Sequence, residues 1–212
     1  MNKLILVSSL SILLMACGSS DKVQESIEDN AKKVTEVTKT ITSPVDKEAA
    51  VVEAKKITQT FAGNLKNELQ IAMKAGGPIN GLDVCSTKAI PITDSSSKES
   101  EATVSRVSLK NRNPLNIPND WQKAVLEDFD ARAAKGEDVS KMGFSEVVEK
   151  DGHKQLRFMK ALPTGDVCLK CHGSNIGADV QAKITELYPE DKATGYEKGQ
   201  VRGAIVILKS LN

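Results

Sequence analysis

Residues 144–172 read FSEVVEKDGHKQLRFMKALPTGDVCLKCH, and this stretch determines the architecture of the second half of the chain. Apolar and polar residues alternate on both sides of Asp151-Gly152, a pair that favours a tight turn. The pattern predicts a β-hairpin with strands over residues 144–149 and 153–161. The stretch ends in Cys168-Leu169-Lys170-Cys171-His172, so a chemically distinctive motif directly follows the second strand.

The Cys-x-x-Cys-His motif is typical of covalent c-type haem attachment. Two thiols separated by two residues can each form a thioether with one vinyl group, and the adjacent His172 can bind the iron. Zinc is an alternative, since Cys85 would complete a set of three sulfurs and one nitrogen. However, adjacent Cys171 and His172 are poorly spaced to converge on one small ion, and a reversible dithiol would leave His172 without a role. The motif therefore predicts one covalent haem c, held by Cys168 and Cys171, with His172 as the proximal iron ligand.

Upstream of the hairpin, the sequence predicts helices. Apolar residues three or four positions apart predict a long helix over residues 46–75, which Gly76-Gly77-Pro78 ends. A shorter helix is predicted over residues 79–89, with Pro91 stopping it. Residues 92–102 have the composition of a polar loop.

The remaining segments predict strands and helices around one sheet. Alternation predicts a strand over residues 103–109, and Asn119 can cap a helix over residues 120–134. After the haem motif, a helix near residues 179–188 and a final strand over residues 202–208 are predicted. Helices first and antiparallel strands later indicate an α+β domain around one antiparallel sheet, with flanking helices and a long N-terminal helix.

The N-terminal segment predicts export and lipidation. Residues 1–16 combine a positive start with a short apolar run and Ala16 before Cys17, which is typical of a bacterial lipoprotein signal peptide with Cys17 as the lipidated residue. The alternative is an ordinary signal peptide in which Cys17 is incidental. No aspartate follows Cys17, so we expect an outer-membrane anchor facing the periplasm. Residues 17–44 are interpreted as a polar tether, although their thin apolar stripe also allows packing on the domain or on another chain. Residues 45–212 form the predicted haem domain.

Charge and cysteine usage restrict the possible partners and ligands. A formal net charge of +1 gives no reason to expect nucleic acid as a partner. The expected partners are the membrane, through the lipid anchor, and a redox or sensor partner protein; the oligomeric state stays open. With Cys17 assigned to lipid and two cysteines to haem, Cys85 is unexplained in an oxidising compartment, so it is a candidate distal iron ligand or a buried core residue. The competing candidates for the distal ligand are Met73, Met142, Met159 and His153. The remaining alternative is an iron without a protein ligand at the distal position.

Arginines are candidates for contacts with haem propionates, because a guanidinium matches a carboxylate in a bidentate fork. Arg106, Arg112 and Arg202 are the main candidates, and Arg157 is a fourth.

Several motifs in order resemble a known family. They are Arg106-Val-Ser-Leu-Lys-Asn-Arg112-Asn113-Pro114-Leu-Asn116, Trp121, Leu126-Glu-Asp-Phe129, Cys168-Leu-Lys-Cys171-His172-Gly173, Tyr188-Pro189, Gly195-Tyr196, Gly199 and Arg202-Gly203-Ala204. Together they resemble a bacterial family of c-type haem domains similar to a cyanobacterial cytochrome with a PAS-like fold. The resemblance covers roughly residues 50–210.

The resemblance implies a PAS-like antiparallel sheet and an unusual pair of iron ligands. It implies His172 as the proximal ligand and Cys85 as the distal ligand, because Leu82-Asp-Val-Cys85 is similar to the family's cysteine-bearing segment. The expected function is a redox or small-gas sensor, or a low-potential one-electron carrier, and an enzyme is less expected. The alternatives are a peroxidase-like haem enzyme with His153 as its acid/base, and an envelope binding protein whose haem is structural.

Overall fold

The computed structural model describes residues 44–150 and 152–211 of the 212-residue chain. The predicted signal peptide, Cys17 and nearly all of the predicted tether lie outside the described residues, so those assignments stay predictions. None of the described helices is long and apolar enough to cross a membrane.

Four antiparallel strands form one sheet in the order β1-β4-β3-β2. They are β1 (Thr103–Val107), β2 (Gly143–Lys150), β3 (His153–Pro163) and β4 (Val201–Leu211). β2 and β3 are the predicted hairpin, and Gly152 at its turn has a φ of +75°. The prediction of this hairpin is confirmed, with each strand two residues longer than expected.

Five α-helices and two short 3₁₀ turns complete the described part of the chain. They are α1 (Pro44–Thr87), α2 (Ala89–Ser100), α3 (Asp120–Ala134), α4 (Leu169–His172) and α5 (Ala178–Leu187), with 3₁₀ turns at Pro114–Asn116 and Val139–Lys141. The predicted α+β class is therefore confirmed, with one antiparallel sheet, flanking helices and a long N-terminal helix.

Helix α1 changes direction at the predicted break. Gly76 has a φ of −163° and Gly77 a φ of +67°, and neither is helical. Only glycine adopts the positive φ of Gly77 without strain, so the pair interrupts the hydrogen-bond ladder. Pro78 then starts the second part of α1, which ends at Thr87.

The prediction of a polar loop over residues 92–102 is wrong, because helix α2 occupies most of it. Pro91 is the third residue of α2, where its missing N–H costs no helical hydrogen bond, so it does not stop a helix there. Along α2, hydroxyls donate back to carbonyls four residues earlier, as Ser97 Oγ does to Thr93 O at 2.9 Å. These bonds satisfy the Ser/Thr side chains within the helix, which composition alone does not reveal.

The sheet has an apolar core on each face. The α1 face contains Phe61 of α1 packed with Phe158 and Ile207 of the sheet. The α3 face contains Phe129 of α3 packed with Met159 and Val206. Successive residues of β3 and β4 alternate between these faces, as the two-residue period of a strand requires.

A third, smaller apolar cluster positions the second part of α1. Leu82 packs there against Val180 and Ile184 of α5. This contact fixes the helical turn that carries Cys85, because Leu82 and Cys85 are three residues apart and lie on the same side of the helix.

Gly203 is needed where β4 passes β1. Its φ is +154°, and a Cβ at this position would lie 2.3 Å from the carbonyl oxygen of Val107. We expect Gly203→Ala to lower the free energy of unfolding by about 2 kcal/mol or more, through backbone strain and this clash. Denaturant unfolding measures the change. Gly63→Ala is the control, since nothing lies within 4 Å of its Cβ position and a helical alanine should stabilise slightly. Equal stabilities of the two variants would contradict the prediction.

Candidate functional site

One cavity brings together the residues that the sequence singled out. It encloses about 270 Å³ between the second part of α1, the β1 end of the sheet and the segment that carries α4. Its lining includes Cys85, Arg106, Arg112, Cys168, Cys171, His172 and Arg202. We call this the Cys–His cavity. Residues far apart in the sequence thus converge on a single site.

Helix α4 presents both cysteines of the motif to this cavity. It is a single turn, in which His172 N donates to Cys168 O at 2.9 Å and Gly173 N donates to Leu169 O at 3.1 Å. Gly173 has to be small, because a Cβ there would lie 2.7 Å from the carbonyl oxygen of Leu169. Cys168 and Cys171 are free, half-buried thiols that line the same cavity. This arrangement leaves both sulfurs available to one ligand.

His172 is held through its Nδ1 atom. Nδ1 lies 2.7 Å from the carbonyl oxygen of Ala193, and because a carbonyl only accepts, Nδ1 carries the proton. Nε2 of the imidazole is therefore unprotonated and available to a metal. The Tyr196 ring packs edge-on against the imidazole, with ring centroids 6.3 Å apart. Tyr196 N also donates to His172 O at 2.9 Å, so backbone and ring contacts fix this residue together.

Electrostatics keep the imidazole neutral. Burial, together with the positive charges of Arg202 and Arg112, lowers the pKa of His172 to about 2. A neutral imidazole is the form that binds metals. His172 is therefore held in the neutral form that can act as a ligand.

Cys85 lies in the wall of the cavity contributed by α1. Its thiol is free, and burial raises its pKa, while the charges of Arg106, Arg112 and Arg202 act in the opposite direction. Three guanidinium groups near one sulfur favour its thiolate form when a metal cation compensates the burial. The distal-ligand role of Cys85 stays a prediction, and its placement in this cavity supports it.

The structure narrows the set of competing distal ligands. Met142 and Met159 are buried in the core on the α3 face, and His153 is exposed at the start of β3. None of these three lines the Cys–His cavity. Met73 does line it, from the first part of α1. Cys85 and Met73 are therefore the two sulfur-bearing distal candidates, outside the haem motif, that line this cavity.

The three candidate arginines differ in their surroundings. Arg112 is engaged by protein groups, since its Nε donates to Asp191 Oδ1 at 3.0 Å. Arg202 Nη1 donates to Ser108 Oγ at 3.0 Å, but its Nε is buried without a hydrogen-bond partner in the described chain. Arg106 lies near Cys85, and burial lowers its pKa. Arg157 lies elsewhere, paired with Glu146.

The buried Arg202 Nε is the observation that best tests whether a haem fits. A buried donor without an acceptor is costly, so it indicates a ligand group that accepts a hydrogen bond. A propionate carboxylate is such a group, and the cavity also presents two thiols and an imidazole. The side chains of the cavity thus fit a haem c.

The donor arrangement does not suit zinc. Among the residues described, no group of three or more His, Cys, Asp or Glu side chains could hold one metal ion. Cys85, Cys168, Cys171 and His172 therefore share a cavity without forming a tetrahedral set.

Sequence reasoning missed one residue that shapes the site and assigned no role to another. Asp191 pairs with Arg112, and Tyr196 packs on His172. Asp191 belongs to no short motif, and Tyr196 enters only as part of Gly195-Tyr196 in the family resemblance. Both lie about twenty residues after the haem motif, so only their contacts in the fold reveal what they do.

Two comparisons with known proteins find similar proteins. A family model described as Tll0287-like matches residues 20–210. Among solved structures, the chain is similar to the cyanobacterial haem protein Tll0287, with 21% identity and a TM-score of 0.54. That alignment covers 81% of this chain and 98% of the other, and at this identity it establishes a shared fold. No curated protein matches the chain.

Proposed function

The chain belongs to the Tll0287-like family, and we propose that it is a haem-binding protein of the cell envelope that holds one covalent haem c in the Cys–His cavity. One observation carries the proposal. Cys85 from α1 and Cys168, Cys171 and His172 from the α4 segment line a single cavity. The solved relative is itself described as a haem protein, which supports the same ligand here.

Each side chain of the cavity has a defined task in this proposal. Cys168 and Cys171 would hold the ring covalently, and His172 Nε2 and the Cys85 sulfur would be the ligands of its iron. Arg202 Nε offers its unused hydrogen to a propionate. When bound, haem supplies a one-electron couple and a binding position for small gases.

The proposed ligand pair favours a low reduction potential. An anionic thiolate stabilises the ferric state more than the ferrous state, whereas a methionine ligand raises the potential. Burial raises the pKa of Cys85, so its sulfur prefers the protonated form whenever it is not bound to a cation. An iron–Cys85 bond that weakens on reduction suits a redox or small-gas sensor. A low reduction potential also suits a one-electron carrier.

Neither alternative function has an observation that favours it. A peroxidase-like enzyme needs an acid/base group beside the iron. His153, the candidate for that role, is exposed on the hairpin and does not line the cavity. A purely structural haem would not require a neutral histidine and a free cysteine on the same cavity.

Potentiometry with absorption spectroscopy tests the proposed function. The full chain, produced with cytochrome c maturation machinery, should show a Soret band and a midpoint potential well below that of His/Met cytochromes. As a sensor, the ferrous form should also change its spectrum when CO is added; an unchanged spectrum with reversible reduction would identify a carrier. A missing Soret band would contradict haem binding, and a haem that is not reduced by dithionite would leave only a structural role.

We further propose that Cys17 anchors the protein by lipid to the outer membrane. The domain would then face the periplasm, where it would interact with a redox or sensor partner protein. The sequence of residues 1–17 supports this proposal. Fractionation of cells that express Cys17→Ser tests it: the variant should leave the membrane fraction, and retention there would contradict the lipid anchor.

A further inference from the structure

We propose that Asp191 and Arg112 are positioning residues for His172, which hold its imidazole in the Nδ1–H form with Nε2 toward the cavity. The inference rests on the proposed function, in which His172 is the proximal ligand. It assigns a task to a buried ion pair that the haem motif itself does not explain.

Asp191 and Arg112 form a buried, bidentate ion pair. Arg112 Nε donates to Asp191 Oδ1 at 3.0 Å, and Nη2 donates to Oδ2 at 3.1 Å. Both side chains are only 8% exposed. Moving two charges out of water is expensive, and the pair alone does not ordinarily compensate that loss. Further hydrogen bonds to these charges are therefore informative.

The further hydrogen bonds of the ion pair are made to the backbone groups next to His172. Arg112 Nη2 donates to the carbonyl oxygen of Cys171 at 2.6 Å, which fixes the peptide directly before the histidine. The same Nη2 lies 3.3 Å from the carbonyl oxygen of Ala193, which accepts the hydrogen bond of His172 Nδ1. Asp191 Oδ1 accepts from Ala193 N at 2.9 Å, so the ion pair holds both the N–H and the carbonyl group of Ala193.

The Ala193 carbonyl thus links the ion pair to the imidazole. If the Ala193 carbonyl could turn away, His172 Nδ1 would lose its acceptor and the ring would be free to turn or change tautomer. Groups that orient a metal-bound histidine through its second nitrogen raise its basicity and fix its direction. The Asp191–Arg112 pair has this effect indirectly, because it fixes the Ala193 carbonyl that accepts the hydrogen bond of His172 Nδ1.

Exchange of the Nδ1–H proton of His172 with solvent tests the inference. In the ferrous holoprotein labelled with ¹⁵N, this proton can be followed by NMR, and His153→Asn assigns it because the chain has two histidines. We expect Asp191→Asn to speed the exchange at least about tenfold and to make the reduction potential more positive. Asp191→Glu should restore much of the slow exchange, because it keeps the charge.

A matched surface variant separates positioning from a general effect of removing a carboxylate. Asp166→Asn breaks the exposed pair with Lys198, whose side chains are 77% and 67% exposed, and should change neither readout. If Asp191→Asn does not fold, Arg112→Met combined with Asp191→Leu removes both buried charges and should show the same fast exchange.

The outcomes also separate this inference from the proposed function. A parent protein without a Soret band overturns the proposed function. A parent with haem and a slowly exchanging Nδ1–H, together with an unchanged rate and potential in the folded Asp191 variants, overturns the positioning role alone. A lower melting temperature without those changes has the same meaning, since it shows a purely structural ion pair.

Discussion

A variant with Cys168→Ala and Cys171→Ala together is expected to lose all haem that survives denaturation. A thioether requires the cysteine sulfur, and without both sulfurs haem could be held only by contacts that denaturation breaks. Both thiols are free and line the same cavity. The α4 segment contains no other cysteine that could replace them. Haem staining after denaturing electrophoresis measures the loss directly.

Cys85→Ala is the matched cysteine control for this experiment. It removes one thiol from the same cavity but leaves the attachment motif intact, so covalent haem should remain. The single variants Cys168→Ala and Cys171→Ala should each retain at most one thioether and show a shifted haemochrome spectrum. Covalent haem in the double variant, at the level of the parent, would show that attachment does not use this motif.

Much of the fold could be predicted from local sequence signals. The hairpin on either side of Gly152 and the capped helix α3 follow from alternation and from the Asn119 cap, whose side chain accepts from Gln122 N. The break at Gly76 and Gly77 follows from glycine itself. These features depend on neighbours in the sequence, so the sequence displays them.

Features that depend on tertiary contacts could not be predicted in the same way. Helix α2 was missed because its serines suggest a loop, whereas their hydroxyls bond within the helix and Ala89 is buried. Prediction of the site from the sequence had the same limit. Its motif and Cys85 were identifiable, but Asp191 carries no local signal, since its partner Arg112 lies 79 residues away. Arg112 itself, a propionate candidate by sequence, is already engaged by that carboxylate.

Cys85→Ala is expected to change the iron ligands and raise the reduction potential. Loss of the thiolate removes the negative charge that favours ferric iron, and axial ligands span roughly 0.8 V in haem proteins, so we expect a rise on the order of 0.1 V or more. The ferric absorption spectrum should change as well. Potentiometry and absorption spectra of the ferric and ferrous forms measure both effects.

Met73→Leu is the control that the cavity itself provides. Met73 and Cys85 both line the site from α1, on opposite sides of the break at Gly76 and Gly77. Leucine is close to methionine in volume but cannot bind iron, so Met73→Leu should leave the spectrum and potential unchanged if Cys85 is the ligand. The opposite pattern, with Met73→Leu altering the spectrum and Cys85→Ala silent, would assign the distal position to Met73.

The double variant Cys85→Ala, Met73→Leu distinguishes an open distal site from a replaced ligand. With Cys85 alone removed, Met73 is the neighbouring sulfur, and its binding would raise the potential further because thioether ligands favour ferrous iron. With both removed, the distal side of the cavity offers no sulfur from α1, and the ferrous protein should bind CO without competition. CO affinity that is equal in the parent and in all three variants would mean that neither sulfur holds the iron. The sensor proposal would then lose its mechanism, while covalent attachment through α4 would stand.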